Sequence, residues 1–305
     1  MSWKEEYWKS IKSFDTEEKL DLYFYRPIGF LIAKIAFALR MSPTALTIIG
    51  LFLGITSGFF FSQNATNTSL LIASILFVSA GIFDSSDGQL ARMGGKSTKL
   101  GLVLDGLCDN LVFASAYIGS ALTVKAGYGV ALIPISLLAG VCHSAQSAML
   151  DFYNREYLYF GYGKVQNDYW NSTIAEANQE KNEAKTREER IFARLRFSWI
   201  WQQNKITTRS TEERLALRDL VHSKNTVELQ NSYREHNQIM LRFWRLMGPN
   251  FHTIMILVCV FLRRFDYYLI YVDIIGLTLA LFVLRYFQCQ QDQKLFRSLK
   301  RKNLL

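Results

Sequence analysis

The chain has 305 residues, half of them hydrophobic, and a formal net charge of +9. That length permits two soluble domains, but the apolar residues collect in runs at 45–61, 70–83, 112–124, 129–141, 254–262 and 268–284. With their flanks, most of these approach the ~20 residues needed to cross a bilayer. The basic residues sit beside these runs, which argues for a membrane surface and against a nucleic-acid partner.

The N-terminal MSWKEEYWKSIK is too polar and too acidic for a secretory signal, so insertion is expected to use an internal helix. Residues 20–41 read as a helix broken by charge at Arg26, Lys34 and Arg40. A charge at Lys34 is costly in a spanning helix and tolerable in an interfacial one, so an amphipathic helix lying on the membrane is expected, with a short span as the alternative. Ser42 and Pro43 then form a cap and a first turn. Spans are expected at about 43–62, from about 70 to 90, and at about 101–123, 128–150, 247–263 and 267–287.

Lysine and arginine counts set the orientation. The N-terminal basics, Arg92, Lys96, Lys99, the long central segment and the C-terminal tail fall on one side, and only Lys125, Arg263 and Arg264 on the other. The first side is therefore expected to be cytoplasmic, in a bacterial inner membrane or its equivalent. The fold class is all-α integral membrane: an interfacial N-terminal segment (1–42), four spans (43–150), a cytoplasmic helical insert (151–246) and two spans with a basic tail (247–305). The insert reads as a solvated helical hairpin, with Ser210 and Glu213 as a capping box. A second reading uses Arg194, Arg196, Phe197, Trp199, Trp201, Arg242, Phe243, Trp244 and Arg245 to anchor it in the headgroup layer. Cys108, Cys142, Cys259 and Cys289 have no metal-like spacing and read as small core residues.

The chemistry concentrates in residues 83–110, FDSSDGQLARMGGKSTKLGLVLDGLCDN. Asp84 and Asp87 lie three apart at the end of one expected span. Asp105 and Asp109 lie four apart at the start of the next, so each pair shares a helix face. A short connection makes these spans antiparallel neighbours and brings four carboxylates to one membrane edge. Four anions there would repel and resist desolvation, and divalent cations with hard oxygen ligands are the natural remedy. Gly88 and Gly101 remove side chains where a ligand could approach the backbone, and Arg92 offers a planar fork for phosphate oxygens.

The spacing Asp84-x-x-Asp87-Gly88-x-x-Ala91-Arg92, eight residues, Gly101-x-x-x-Asp105-x-x-x-Asp109 resembles, without a gap, the signature of the CDP-alcohol phosphotransferases. Eight fixed positions make a chance match on the order of 10⁻¹⁰ per starting point. The resemblance implies that Asp84, Asp87 and Asp105 bind a pair of Mg²⁺ or Mn²⁺ ions that hold the donor's diphosphate. It implies that Asp109 completes that site and deprotonates the acceptor hydroxyl, that Gly88, Ala91 and Gly101 line the cytidine pocket, and that Arg92 sits by the phosphates. Thr47, in Pro43-Thr44-x-x-Thr47, corresponds to a nucleotide contact, although Thr44 departs from the Asn or Asp common after that proline. A homodimer is implied as well.

The expected reaction moves a phosphatidyl group from CDP-diacylglycerol to a polar alcohol such as inositol phosphate or glycerol phosphate, with release of CMP. The alternative moves a phospho-alcohol headgroup from a CDP-alcohol to a lipid hydroxyl. His143, Gln146, Arg155 and Arg285 are candidate acceptor contacts, set against plain interhelical hydrogen bonding and arginine snorkelling. An intramembrane prenyltransferase would show Asn before the first aspartate, where Phe83 stands. A divalent-cation transporter would hold its acids near the midplane, in broken helices.

Overall fold

The computed structural model describes residues 3–63, 66–94, 99–123, 131–163, 172–223 and 226–305. Lys96 and Lys125, used above for orientation, and the start of the fourth expected span at 128–130 lie outside these. Among the described residues every regular element is helical, and by contact the chain divides into two compact units.

The first unit comprises residues 1–144 and 250–275. It opens with α1 (Trp3–Ser10), a π-helical turn (Asp21–Tyr25) and α2 (Arg26–Ala38). Lys34, the charge that argued against a span, pairs with Glu6 of α1 at 2.5 Å. One side of α2 packs on its neighbours through Ala33 and Ala36, while Leu31, Ile35 and Phe37 stay exposed. Next comes α3 (Pro43–Phe61), capped by Ser42, whose hydroxyl accepts from the Ala45 N–H at 3.2 Å.

Helices α4 (Asn67–Gly94) and α5 (Lys99–Thr123) follow, and α3 packs against both. Glycine permits the closeness. A Cβ at Gly50 would stand 3.3 Å from the Ala80 carbonyl of α4, and one at Gly58 or Gly119 would strike the facing helix's backbone. Such small-residue seams let membrane helices approach where Leu against lipid gives no net drive. Around Phe61, Phe77, Ala116 and Tyr117 an apolar core gathers residues from α6 (Leu132–Tyr162), α11 (Pro249–Phe261), the short α12 (Phe265–Tyr267) and the π-helical Tyr268–Leu277.

The second unit comprises residues 145–249 and 276–305. It contains the later part of α6, then α7 (Ile174–Glu183), α8 (Arg187–Ile206), α9 (Thr211–Val221), α10 (Thr226–Trp244) and α13 (Thr278–Arg301). The expected hairpin is thus four helices. Capping boxes at Thr173–Glu176, Thr186–Glu189 and Ser210–Glu213 each restart the chain as a new helix. Arg196 and Trp244, taken as headgroup anchors, are buried, whereas Trp201 and Phe243 are exposed.

Among the described residues, five helical stretches are long and apolar enough to cross a membrane: Pro43–Phe61, Asn67–Gly94, Leu132–Tyr162, Thr226–Phe261 and Phe265–Arg301. The expected third span, α5, has 25 residues and carries Asp105 and Asp109 in its first half.

Candidate active site

The aspartates occupy the last turns of α4 and the first turns of α5. Helix α4 runs past the apolar stretch to Gly94, so Asp84, Asp87, Gly88, Ala91 and Arg92 are all helical and fixed relative to one another. Ligand oxygens of Asp84, Asp87 and Asp105 come within 4.8 Å of one another. The Asp84 carboxyl also lies in hydrogen-bond reach of both Asp105 and Asp109. All four expected carboxylates therefore converge. Asp87 is buried, Asp84 and Asp105 are half-buried, and Asp109 is exposed.

Two observations bear on whether a metal suits this cluster. Asp105 Oδ1 is buried with no hydrogen-bond partner, and a buried carboxylate oxygen left unspent calls for a cation or a proton. The donors are all hard carboxylate oxygens, the chemistry of Mg²⁺ or Mn²⁺ and not of softer ions. The residues present fit a divalent cation.

The surrounding groups also assemble. Thr47 of α3 donates its hydroxyl to Asp87 Oδ2, which joins the third helix to the site. Arg92 curls back over Gly88: a Cβ there would lie 3.4 Å from both Nη1 and Nη2. Its Nε donates to the backbone carbonyl of Ser10. Gly101 lies in the first turn of α5. One neighbour escaped the sequence reading. Arg26 donates from Nη1 to Ser85 Oγ at 3.2 Å, beside Asp84, and from Nε and Nη2 to Glu17 at 2.9 Å each. Its only signal in sequence was a charge in an amphipathic segment.

Residues 40–171, from the start of α3 through α6, match the family model of the CDP-alcohol phosphatidyltransferases. This segment is a CDP-alcohol phosphatidyltransferase domain. The archaetidylinositol phosphate synthase of Pyrococcus horikoshii is 36% identical over 92 residues, covering 30% of this chain and 46% of that protein. The chain thus spans less than half the length of that curated relative. No solved structure gives a significant match.

The acceptor candidates divide between the two units. In the first unit, the His143 ring is buried, meets the Tyr117 hydroxyl at 2.9 Å and stacks on His252 with centroids 3.7 Å apart. The Tyr117 hydroxyl also meets Tyr268 and donates to Asp273 at 3.2 Å, and His252 meets Tyr268 at 2.7 Å. His252, Tyr268 and Asp273 were not singled out from sequence, because residues so far apart give no local pattern. In the second unit, Arg155 is buried against Asp151 at 2.9 Å and Gln203 Oε1 at 2.7 Å. Gln146 is fully buried there, and Arg285 keeps a buried Nε with no hydrogen-bond partner.

Proposed function

We propose that the protein transfers a phosphatidyl group from CDP-diacylglycerol to a phosphorylated polar alcohol, releasing CMP at the cytoplasmic edge of a membrane. The observation that carries this is the convergence of Asp84, Asp87 and Asp105 on a signature without gaps, inside the matched domain.

Asp84, Asp87, Asp105 and Asp109 would hold divalent cations, Mg²⁺ or Mn²⁺ and two in number, which supply positive charge against the donor's diphosphate. The chain's own groups do the rest. Arg92 turns its fork toward the space above Gly88, where a diphosphate would meet two N–H donors at once. Thr47 fixes the Asp87 carboxylate. Asp109, the most exposed of the four, is the group free to meet a soluble acceptor and take its hydroxyl proton. The acceptor oxygen then bonds the phosphorus that bears the lipid. The bond from that phosphorus to the bridging oxygen breaks, and CMP leaves with the electron pair.

The name of the Pyrococcus relative favours inositol phosphate as acceptor and a CDP-activated lipid as donor. Arg155 and Arg285 are the proposed contacts for an anionic alcohol. Residues 43–150 are read as the catalytic core in six spans overall, 151–246 as a cytoplasmic insert, and the working form as a homodimer.

The test gives purified protein CDP-diacylglycerol and Mg²⁺ and measures CMP release with inositol phosphate, glycerol phosphate, inositol and serine. Release with a phosphorylated alcohol is expected. No CMP with any acceptor would sink the CDP-diacylglycerol reading and favour transfer of a headgroup from a CDP-alcohol to a lipid.

A further inference from the structure

Residues 10–26 are tied to a single stripe of α4. Arg26 bonds the Ser85 hydroxyl at 3.2 Å and carbonyl at 3.3 Å, and Gln89 Nε2 donates to Ser10 Oγ at 3.0 Å. Arg92 Nε donates to the Ser10 carbonyl. Positions 85, 89 and 92 fall at i, i+4 and i+7, one helical face, beside the stripe that carries Asp84, Gly88 and Ala91. The packing is close along this seam: a Cβ on Gly29 would stand 2.7 Å from Gln89 Oε1, and one on Gly81 would stand 3.0 Å from the Tyr25 ring. The near end of the strap is clamped in turn, because Glu17 is buried and grips Arg26 through both carboxylate oxygens.

The consequence falls on Arg92. An arginine on the last turns of a helix samples many rotamers, and only a few of them present two parallel N–H groups to an anion. With Nε spent on Ser10, the remaining Nη1 and Nη2 are those that sit over Gly88. A backbone carbonyl is a suitable tether, since it fixes direction without neutralising the charge that the phosphates need.

We propose that residues 10–26 are a positioning strap for the donor site: the Ser10 carbonyl aims Arg92 at the donor's diphosphate, and the Glu17–Arg26–Ser85 and Gln89–Ser10 contacts hold that carbonyl in register. Ser10, Glu17 and Arg26 are positioning residues and lie outside the segment 40–171 that the family model covers. The inference rests on the donor reading above, and its experiment separates the two.

CDP and cytidine binding would be measured by titration calorimetry on the full-length protein in nanodiscs with Mn²⁺, in wild type and in Glu17→Ala, each with and without Arg92→Ala. Contacting pairs couple, whereas independent sites add. Glu17→Ala is expected to weaken CDP binding about five- to tenfold, leave cytidine within about twofold, and add nothing further once Arg92 is alanine. An equal loss in both backgrounds, or a loss shared by cytidine, would overturn the strap in favour of a merely structural segment. Wild-type protein that binds no CDP overturns the donor reading itself. Should Glu17→Ala fail to fold, Ser10→Ala, which removes only the hydroxyl held by Gln89, carries the same expectations.

Discussion

Each unit of this molecule gathers a cluster of acids, and the two clusters are settled in opposite ways. In the second unit Arg209, fully buried, donates to Glu156 and Asp292, and Arg214 donates to Glu156 at 3.0 Å. Tyr233, Asn237, Thr208 and Gln288 supply hydrogen bonds around them. Burial works against the charge on Arg209, but Asp292 and Glu156 outweigh it and hold its pKa well above the ordinary arginine value. In the first unit Asp84, Asp105 and Asp109 meet chiefly one another, and Asp105 keeps an orphaned oxygen. Acids matched by guanidinium groups hold helices together. Acids gathered without such matching cost stability that only a ligand repays, and that contrast separates the scaffold from the site.

Removing charge from the two clusters tests this directly. Asp109→Asn should lower turnover by about 10²–10⁴-fold, the usual contribution of a general base, while CDP binding survives. Near-normal CMP release in that variant would remove the proposed base. Glu156→Gln removes the carboxylate shared by Arg209 and Arg214, leaving Arg209 with Asp292, and should cost about 3–5 kcal/mol in chemical denaturation, as breaking a buried pair does. Asp105→Asn should leave stability unchanged or raise it, so the same acid-to-amide change has opposite outcomes in the two units. Equal losses would erase the distinction.

Smaller effects sharpen it. Mn²⁺ at about 100 times its dissociation constant should stabilise the wild type by about 2.7 kcal/mol, seen as a raised melting temperature. The shift should vanish in Asp84→Asn and persist in Glu156→Gln; a shift in both would place the ion elsewhere. The mildest change is Thr186→Ala, which removes the cap of α8 and should cost about 1 kcal/mol, read by hydrogen exchange at the helix start.

What could be read from sequence followed the range of the signals. The four aspartates were legible because their spacing is helical and local, and the helices that carry them are long and apolar. Thr47 was legible through a short motif, and its hydroxyl bonds Asp87. The number of helices in the central segment was missed because charged helix formers run through Ala184 and Lys185 without interruption in composition. Only the capping Thr186 marks the break there. Arg26, His252, Tyr268 and Asp273 were beyond reach, since each acquires its neighbours through tertiary contact across tens to hundreds of residues.

The glycine crossing of α3 and α5 has a consequence for the chemistry. Gly58 and Gly119 meet there, eleven residues from Thr47 and ten from Asp109. At 1.5 Å per residue that is roughly 15 Å along each helix. The two helices act as a pair of shears pinned at that crossing, with Thr47, which holds the Asp87 carboxylate, at one blade tip and Asp109 at the other. One added methyl at the pin would spread the tips by more than the ~0.5 Å that a metal-holding geometry tolerates. A residue facing the opposite end of the helices thus governs how closely Thr47, with the Asp87 carboxylate it holds, can approach Asp109.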